Sequence, residues 1–135
     1  MSTNKVFRAL KAQEAVETIA AAQTLTASDS YKTFVLSAAA GAAVTLPALY
    51  SGLKMRFVVG AAFATTDWTI VSSTDVIQGN VLVAGAHVAG ADENTISFVA
   101  TAESVGDYVD LVCDGTNWYA SGSGVTTGSI TFTAP

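Results

Sequence analysis

The sequence predicts an all-β protein, with a single β-sandwich or jelly-roll-like domain and an N-terminal arm. From Gln23 onward, short runs rich in Thr, Val, Leu and Phe recur, and these residue types favour strands. Clusters of Gly, Asn, Asp and Ser separate the runs, as is typical of turns. No stretch of ten or more residues after Gln23 has the apolar spacing of a helix. We therefore expect residues 1–22 to form the arm and residues 23–135 to form the β domain.

The arm differs from the rest of the chain in its apolar pattern. Val6, Leu10, Val16 and Ile19 have a loosely helical spacing, whereas the stretch 16–19 by itself alternates apolar and polar residues. A short helix and an extended segment both remain open for this part of the chain.

Ten runs in the β domain are predicted as strands, and their short, fairly even spacing is typical of sandwiches and barrels. In chain order they are Thr24–Thr26, Thr33–Ser37, Ala43–Leu46, Lys54–Val59, Trp68–Ser72, Asn80–Val83, Thr95–Val99, Tyr108–Cys113, Trp118–Ser121 and Ser129–Thr133. The stretch Gly85–Gly90 is expected to be a loop or a strand edge. Gly122–Gly128, rich in Gly, Ser and Thr, is expected to be mobile.

Two of these strands show which side chains should face the core. In the run 108–113, an outward Asp110 favours an inward face made of Val109, Leu111 and Cys113. In the run 54–57, the two cations share one face, and Met55 and Phe57 share the other. The Asp114-Gly115 pair that follows the first run predicts a hairpin.

Charge is distributed unevenly along the chain. All six basic residues lie within residues 1–56, which have a formal charge of +3, whereas residues 57–135 carry −8. This distribution predicts an acidic body that binds a partner through its arm, with Lys5, Arg8 and Lys11 as the contacting side chains. An acidic protein surface is the expected partner, since nucleic acid would be repelled by the body.

Overall composition indicates a protein that hides surface in an assembly. Charged residues make up 13% of the chain, against about 25% in a typical domain, and the mean hydropathy is +0.44. No apolar run approaches the roughly 20 residues of a membrane-spanning helix, and no signal peptide is recognisable. We therefore expect synthesis in the cytoplasm, no membrane partner, and association with copies of itself or with another protein.

The sequence shows no enzymatic motif and predicts no cofactor. One cysteine, Cys113, and one histidine, His87, exclude an intrachain disulfide and a Cys/His zinc site within one chain. His87 lacks a nucleophile motif around it, and Cys113 is expected in the core. The carboxylates match no calcium-loop spacing, so pairs such as Asp107 and Asp110 are interpreted as solvated surface groups.

Three stretches together carry a resemblance to a known family. They are Thr24–Phe34, then Val44–Pro47 followed by Gly52–Phe57, and Asp114–Tyr119. They resemble small β-rich virion proteins of tailed bacteriophages, in particular capsid decoration (cement) proteins, over the region from Gln23 to Gly122. Tyr31 stands where glycine is expected in the turn after Asp29-Ser30.

The resemblance implies a homotrimer on the outer surface of the virion, bound to the major capsid protein and stabilising the capsid. The same patterns also occur in phage fibre and spike proteins, so a receptor- or glycan-binding module is the alternative. Its stacking residues would be Trp68, Trp118 and Tyr119, although core packing is the favoured role for the two tryptophans.

Overall fold

The strands of the molecule are held in two sheets. The structure, a computed structural model, describes residues 15–72 and 75–134, and within these it contains twelve strands and one short 3₁₀ helix, Ala27–Asp29. The strands are β1 Ala15–Ile19, β2 Gln23–Thr24, β3 Lys32–Leu36, β4 Ala43–Thr45, β5 Lys54–Val59, β6 Trp68–Val71, β7 Ile77–Val83, β8 Ala86–Glu93, β9 Thr95–Phe98, β10 Tyr108–Cys113, β11 Trp118–Gly124 and β12 Ile130–Thr133. The predicted all-β class is confirmed. None of the described residues forms a helix long and apolar enough to cross a membrane.

The strand order differs from that of a jelly roll, which is built from antiparallel strands. The large sheet has the order β1-β3-β5-β10-β11-β7-β8, and the small sheet has the order β12-β9-β6-β4-β2. Both sheets are mixed. The pairs β1–β3, β3–β5, β2–β4, β4–β6 and β7–β11 are parallel, whereas the remaining pairs are antiparallel.

The first half of the chain winds in three coils. Each coil places one strand in the large sheet and the next in the small sheet: β1 then β2, β3 then β4, and β5 then β6. The coils stack so that like strands pair in parallel, and the turns bond to one another, as where Ser37 N–H donates to the Ile19 carbonyl at 2.9 Å. The second half then adds β10 to β5 and β9 to β6, both antiparallel. Both strands of the third coil are thus paired with strands from the second half of the chain.

One hydrophobic core lies between the two sheets. It takes alternate residues from both, among them Phe34, Phe57, Trp68, Ile96 and Trp118, all fully buried. The face predictions for two strands are confirmed: Val109, Leu111 and Cys113 of β10 are buried, and so are Met55 and Phe57 of β5. Burial of each large side chain contributes about 1.5–3 kcal/mol to the free energy of unfolding.

The stretch assigned to the arm, residues 1–22, is partly built into the large sheet. Ala15–Ile19 forms the edge strand β1, so the extended alternative describes this segment, and Ile19 is buried. Residues 1–14, which hold Lys5, Arg8 and Lys11, lie outside the described residues.

Two glycine-rich segments are more regular than we expected. Gly122–Gly124 continues strand β11, so the predicted mobile segment 122–128 is wrong for these residues. Of the two alternatives for 85–90, the strand edge is observed: residues 86–93 form β8 at the edge of the large sheet. Phe132 of β12 packs against the bare backbone of Gly90 there, which brings the edges of the two sheets together.

Gly79 makes a close backbone approach within the large sheet. It lies in β7 with φ +125°, and a Cβ there would lie inside contact distance of the Ala120 backbone of β11. Beside it, β8 carries a bulge, since Ala91 and Asp92 oppose the single residue Gln78. Side-chain bonds between Gln78 and Asp92, at 2.6 Å and 3.2 Å, fix this bulge.

We predict that Gly79→Ala lowers the free energy of unfolding by about 2–4 kcal/mol, because the methyl group adds overpacking to backbone strain. Gly85→Ala is the matched control. Gly85 also has positive φ, but no atom lies within 4 Å of a Cβ there, so only the strain of about 1 kcal/mol is expected. Urea denaturation of both variants measures the difference. Equal losses would show that the β7–β11 contact is not the tight one described.

Candidate functional site: an aromatic edge of the large sheet

Exposed tyrosines gather at one end of the large sheet, in a surface that we call the aromatic edge: Tyr31, Tyr50, Lys54, Val112 and Tyr119. Tyr31 is 66% exposed, Tyr50 69% and Tyr119 46%. Strand pairing sets Lys54 of β5 opposite Val112 of β10, and Val112 opposite Tyr119 of β11. Because directly paired residues share one face of a sheet, these three side chains form a row on the outer face.

The turn before β3 brings Tyr31 to this row. Its N–H donates to the Lys54 carbonyl at 2.6 Å, and the Ser30 hydroxyl accepts the Lys54 N–H at 3.0 Å. Tyr31 has φ +66°, a left-handed conformation that is uncommon for a residue with a large side chain. The expectation of a glycine-type conformation at this position therefore agrees with the backbone, although the residue is tyrosine.

Asp29 stabilises the turn that carries Tyr31. Its carboxylate accepts the Thr26 N–H at 2.9 Å and forms an ion pair with Lys32 at 2.8 Å. The hydrogen bond from Lys32, followed by the one from the Thr26 backbone, holds the pKa of Asp29 below its ordinary value.

Asp114 organises the hairpin that carries Tyr119. Its carboxylate accepts the N–H groups of Thr116 and Asn117, both at 2.8 Å, and the Tyr119 hydroxyl at 3.0 Å. These bonds, the one from Asn117 first, hold the pKa of Asp114 below its ordinary value. The predicted Asp114-Gly115 turn is present, and it fixes the direction of the Tyr119 ring.

All cations of the described residues lie on the two strands beside this edge. Lys32 begins β3, and Lys54 and Arg56 are on β5. Arg56 binds Asp110 through two hydrogen bonds, at 2.6 Å and 2.9 Å, and stands 4.7 Å from the centre of the Tyr108 ring. Ala15, where the chain arrives from residues 1–14, pairs with Lys32. The segment with Lys5, Arg8 and Lys11 therefore joins the fold next to the other three cations.

A shallow groove adjoins the aromatic edge. It has a volume of about 360 Å³ and lies between two stacked turns, one contributing Leu25–Ala27 and the other Pro47–Tyr50. Its wall is mostly apolar, and Tyr50 stands at its rim. A groove of this kind fits an extended peptide or a loop of another protein better than a small polar substrate.

The three residues named as candidates for stacking on sugars differ in their exposure. Trp68 and Trp118 have 0% exposure and belong to the core, so neither presents a ring to a ligand. Tyr119 alone of the three is exposed. The favoured interpretation of the tryptophans as core residues is therefore confirmed.

The structure also gives the burial and the contacts of the other residues considered for catalysis or metal binding. Cys113 is buried and free, and exposed His87 lies 3.2 Å from the Asn80 side chain. Asp107 is buried, which corrects its interpretation as a solvated surface group, whereas Asp110 bonds to Arg56. Within residues 15–72 and 75–134, no three His, Cys, Asp or Glu side chains come together as metal ligands would.

Comparisons with protein-family models, with curated proteins and with solved structures gave no match.

We predict that the stability of the protein falls as the pH drops below about 4, the ordinary pKa of an aspartate in an unfolded chain. Asp29 and Asp114 have lowered pKa values in the folded state, so their contribution is complete above the unfolded pKa and is lost as the pH falls through the folded pKa. Asp114→Asn cannot ionise, and it should show lower stability at pH 7 and a smaller loss on acidification.

Urea denaturation at pH 7 and pH 3 measures this effect. Asp75→Asn is the control, since Asp75 is exposed and bonds to none of the described residues, and it should follow the unmodified protein. An Asp114→Asn variant with an unchanged acid dependence would contradict the role of the Asp114 bonds.

Proposed function

We propose that this chain is a structural protein of a tailed-phage virion that binds the capsid from outside and stabilises it. The resemblance of Thr24–Phe34, of Val44–Pro47 with Gly52–Phe57, and of Asp114–Tyr119 to capsid decoration proteins motivates the proposal. In this proposal the protein acts as a homotrimer on the lattice of the major capsid protein. No catalytic step is part of it.

The proposal rests on one observation: three features lie together at one end of the large sheet. Three exposed tyrosines, the cations of β3 and β5, and the entry point of the basic N-terminal segment all lie there. Tyrosine and arginine are enriched among the residues that contribute most to protein–protein affinity, and tyrosine buries a large area with only a few rotatable bonds. Cations around them favour an acidic partner surface.

Stabilisation of the capsid would follow from selective binding. A ligand that binds the assembled shell, but not the free subunits, shifts the equilibrium toward the shell by mass action. Stable attachment needs roughly 1,000 Å² or more of buried surface. The aromatic edge and the segment 1–14 together would supply this area, with the groove beside Tyr50 receiving a loop of the capsid.

The alternative of a receptor-binding fibre module loses part of its basis, since Trp68 and Trp118 are buried. Tyr31, Tyr50 and Tyr119 remain exposed, and sugars do stack on tyrosine. The two functions are separated by what the protein binds.

The experiment is a binding assay on purified heads that lack this protein. We expect the full chain to bind at a fixed ratio per capsid, and deletion of residues 2–14 to abolish binding at physiological ionic strength. The triple variant Lys5→Ala, Arg8→Ala, Lys11→Ala should weaken binding, and its effect should diminish at high salt because charge interactions are screened.

The end point of the deletion matters for this test. A deletion that extends to residue 22 removes β1 and the buried Ile19, so it destabilises the fold itself. Deletion of residues 2–14 leaves every described strand in place, and the variant should still unfold cooperatively in urea. Full-affinity binding by this shorter deletion would disprove the role of the arm. A folded full chain that does not bind to heads but binds to glycans would favour the fibre module.

A further inference from the structure

A second apolar surface lies at the opposite end of the large sheet from the aromatic edge. Leu82, Val105 and Val125, which we call the valine patch, are 43%, 67% and 71% exposed. Val105 lies just before β10, Val125 lies just after β11, and Leu82 of β7 is opposite Ser123 of β11. Three of the eight large apolar side chains that are exposed in the described residues therefore lie at this end of the sheet.

The loops that carry the patch are held together by a buried carboxylate. Asp107, which is 3% exposed, accepts the Ser104 N–H at 2.9 Å and the Val125 N–H at 3.2 Å. Ala84 N–H, next to β7, donates to the Gly124 carbonyl at 3.0 Å. The patch is thus a fixed surface, and docking on it requires little ordering of loops.

No exposed Lys, Arg, Asp or Glu side chain surrounds the valine patch, and exposed His87 of β8 lies opposite Leu82. The turns along this side of the molecule are residues 20–22, 37–42, 60–67, 84–85, 99–107 and 125–128, and they contain no basic residue. Their three carboxylates all accept backbone N–H groups: Asp67 from Ala100 at 2.8 Å, Glu103 from Phe63 at 3.1 Å, and Asp107 as described. The exposed side chains of these turns are Ala, Thr and Val.

We infer that the valine patch and the uncharged turns around it form a contact surface between copies of this chain. The described residues hold ten carboxylates and three cations, so two copies repel each other over most of their surface. The repulsion is smallest where neither copy shows exposed charge. A charged partner would find no exposed carboxylate, lysine or arginine to pair with on this side, whereas an identical side offers matching apolar area.

The size of the surface is consistent with a reversible association. Seven strands spaced about 4.8 Å apart give this side a length of about 29 Å, and two stacked sheets give it a width of roughly 20 Å. The projected area is then of the order of 600 Å², below the roughly 800 Å² per partner of a standard stable interface. We therefore expect association that depends on protein concentration.

The inference rests on the self-association in the proposed function and names the surface through which copies meet; its test uses the free protein, so it does not depend on capsid binding. Sedimentation velocity and native mass spectrometry of the full chain should show an assembly whose mass is a multiple of 13.8 kDa. The fraction of protein in this assembly should grow with protein concentration. Leu82→Asp places a charge in the patch, and Val125→Gln removes apolar area without adding a charge beside Asp107. Each should weaken association at least tenfold.

Val16→Asp is the matched control, because Val16 is 66% exposed but lies on edge strand β1, away from the patch. It should associate like the unmodified chain. All variants should keep the circular dichroism spectrum and melting temperature of the full chain, which separates loss of association from loss of fold. A full chain that stays monomeric at every concentration, or patch variants that assemble normally, would overturn the inference.

A cross-linking experiment gives a second, independent reading. Cys113 is buried, so Val125→Cys introduces the accessible thiol of the described fold. Oxidation should join two copies through Cys at position 125 at least tenfold faster than in a Val16→Cys variant. Equal rates for the two variants would show that the valine patch does not meet its counterpart in another copy.

Discussion

Parallel pairing of β3 with β5, in the register that sets Phe34 beside Phe57, is the constraint on which the other elements depend. The two rings stack at 5.3 Å between centroids, with an interplanar angle of 19°. A shift of this register by one residue would turn the ring of the shifted strand to the outer face and separate it from the other. The same register fixes where β1 adds on one side and β10 on the other. The core, the aromatic edge and the valine patch are therefore all positioned by it.

Local patterns predicted the strands well, because their information is contained in a few neighbouring residues. Asp110 was enough to fix the inward face of β10, and alternation fixed that of β5. The pairing of the coils was not predictable in this way. Ala15 pairs with Lys32, and Lys32 with Met55, so the steps between coils are unequal and leave no regular repeat in the sequence. Strand β8 was ambiguous because its Ala- and Gly-rich sequence lacks large apolar residues; its edge position and the packing of Phe132 on Gly90 compensate.

The candidate site shows the same division between local and long-range information. The Asp114-Gly115 hairpin was recognised from sequence, and Tyr119 was named as a candidate stacking residue of the alternative function. Tyr31 and Tyr50 were not singled out as site residues, since an isolated tyrosine in a turn carries no signal of its neighbours. Only the contact of the Tyr31 backbone with Lys54, a residue of a different coil, reveals that these side chains belong together. Tyrosine at a position where glycine was expected was the sign in the sequence that this turn is unusual, and its backbone is left-handed in the structure.

The two surface features lie at opposite ends of the same strands, and this arrangement has a mechanical consequence. Strands β5, β10 and β11 run between the aromatic edge and the valine patch, and a six-residue strand spans about 20 Å. Contacts at one end therefore leave the other end accessible. In our two proposals, the end with charges and aromatic rings binds a foreign acidic surface, and the uncharged apolar end binds other copies of the chain at the same time. Loss of either contact would weaken attachment through avidity while leaving the other contact measurable by itself.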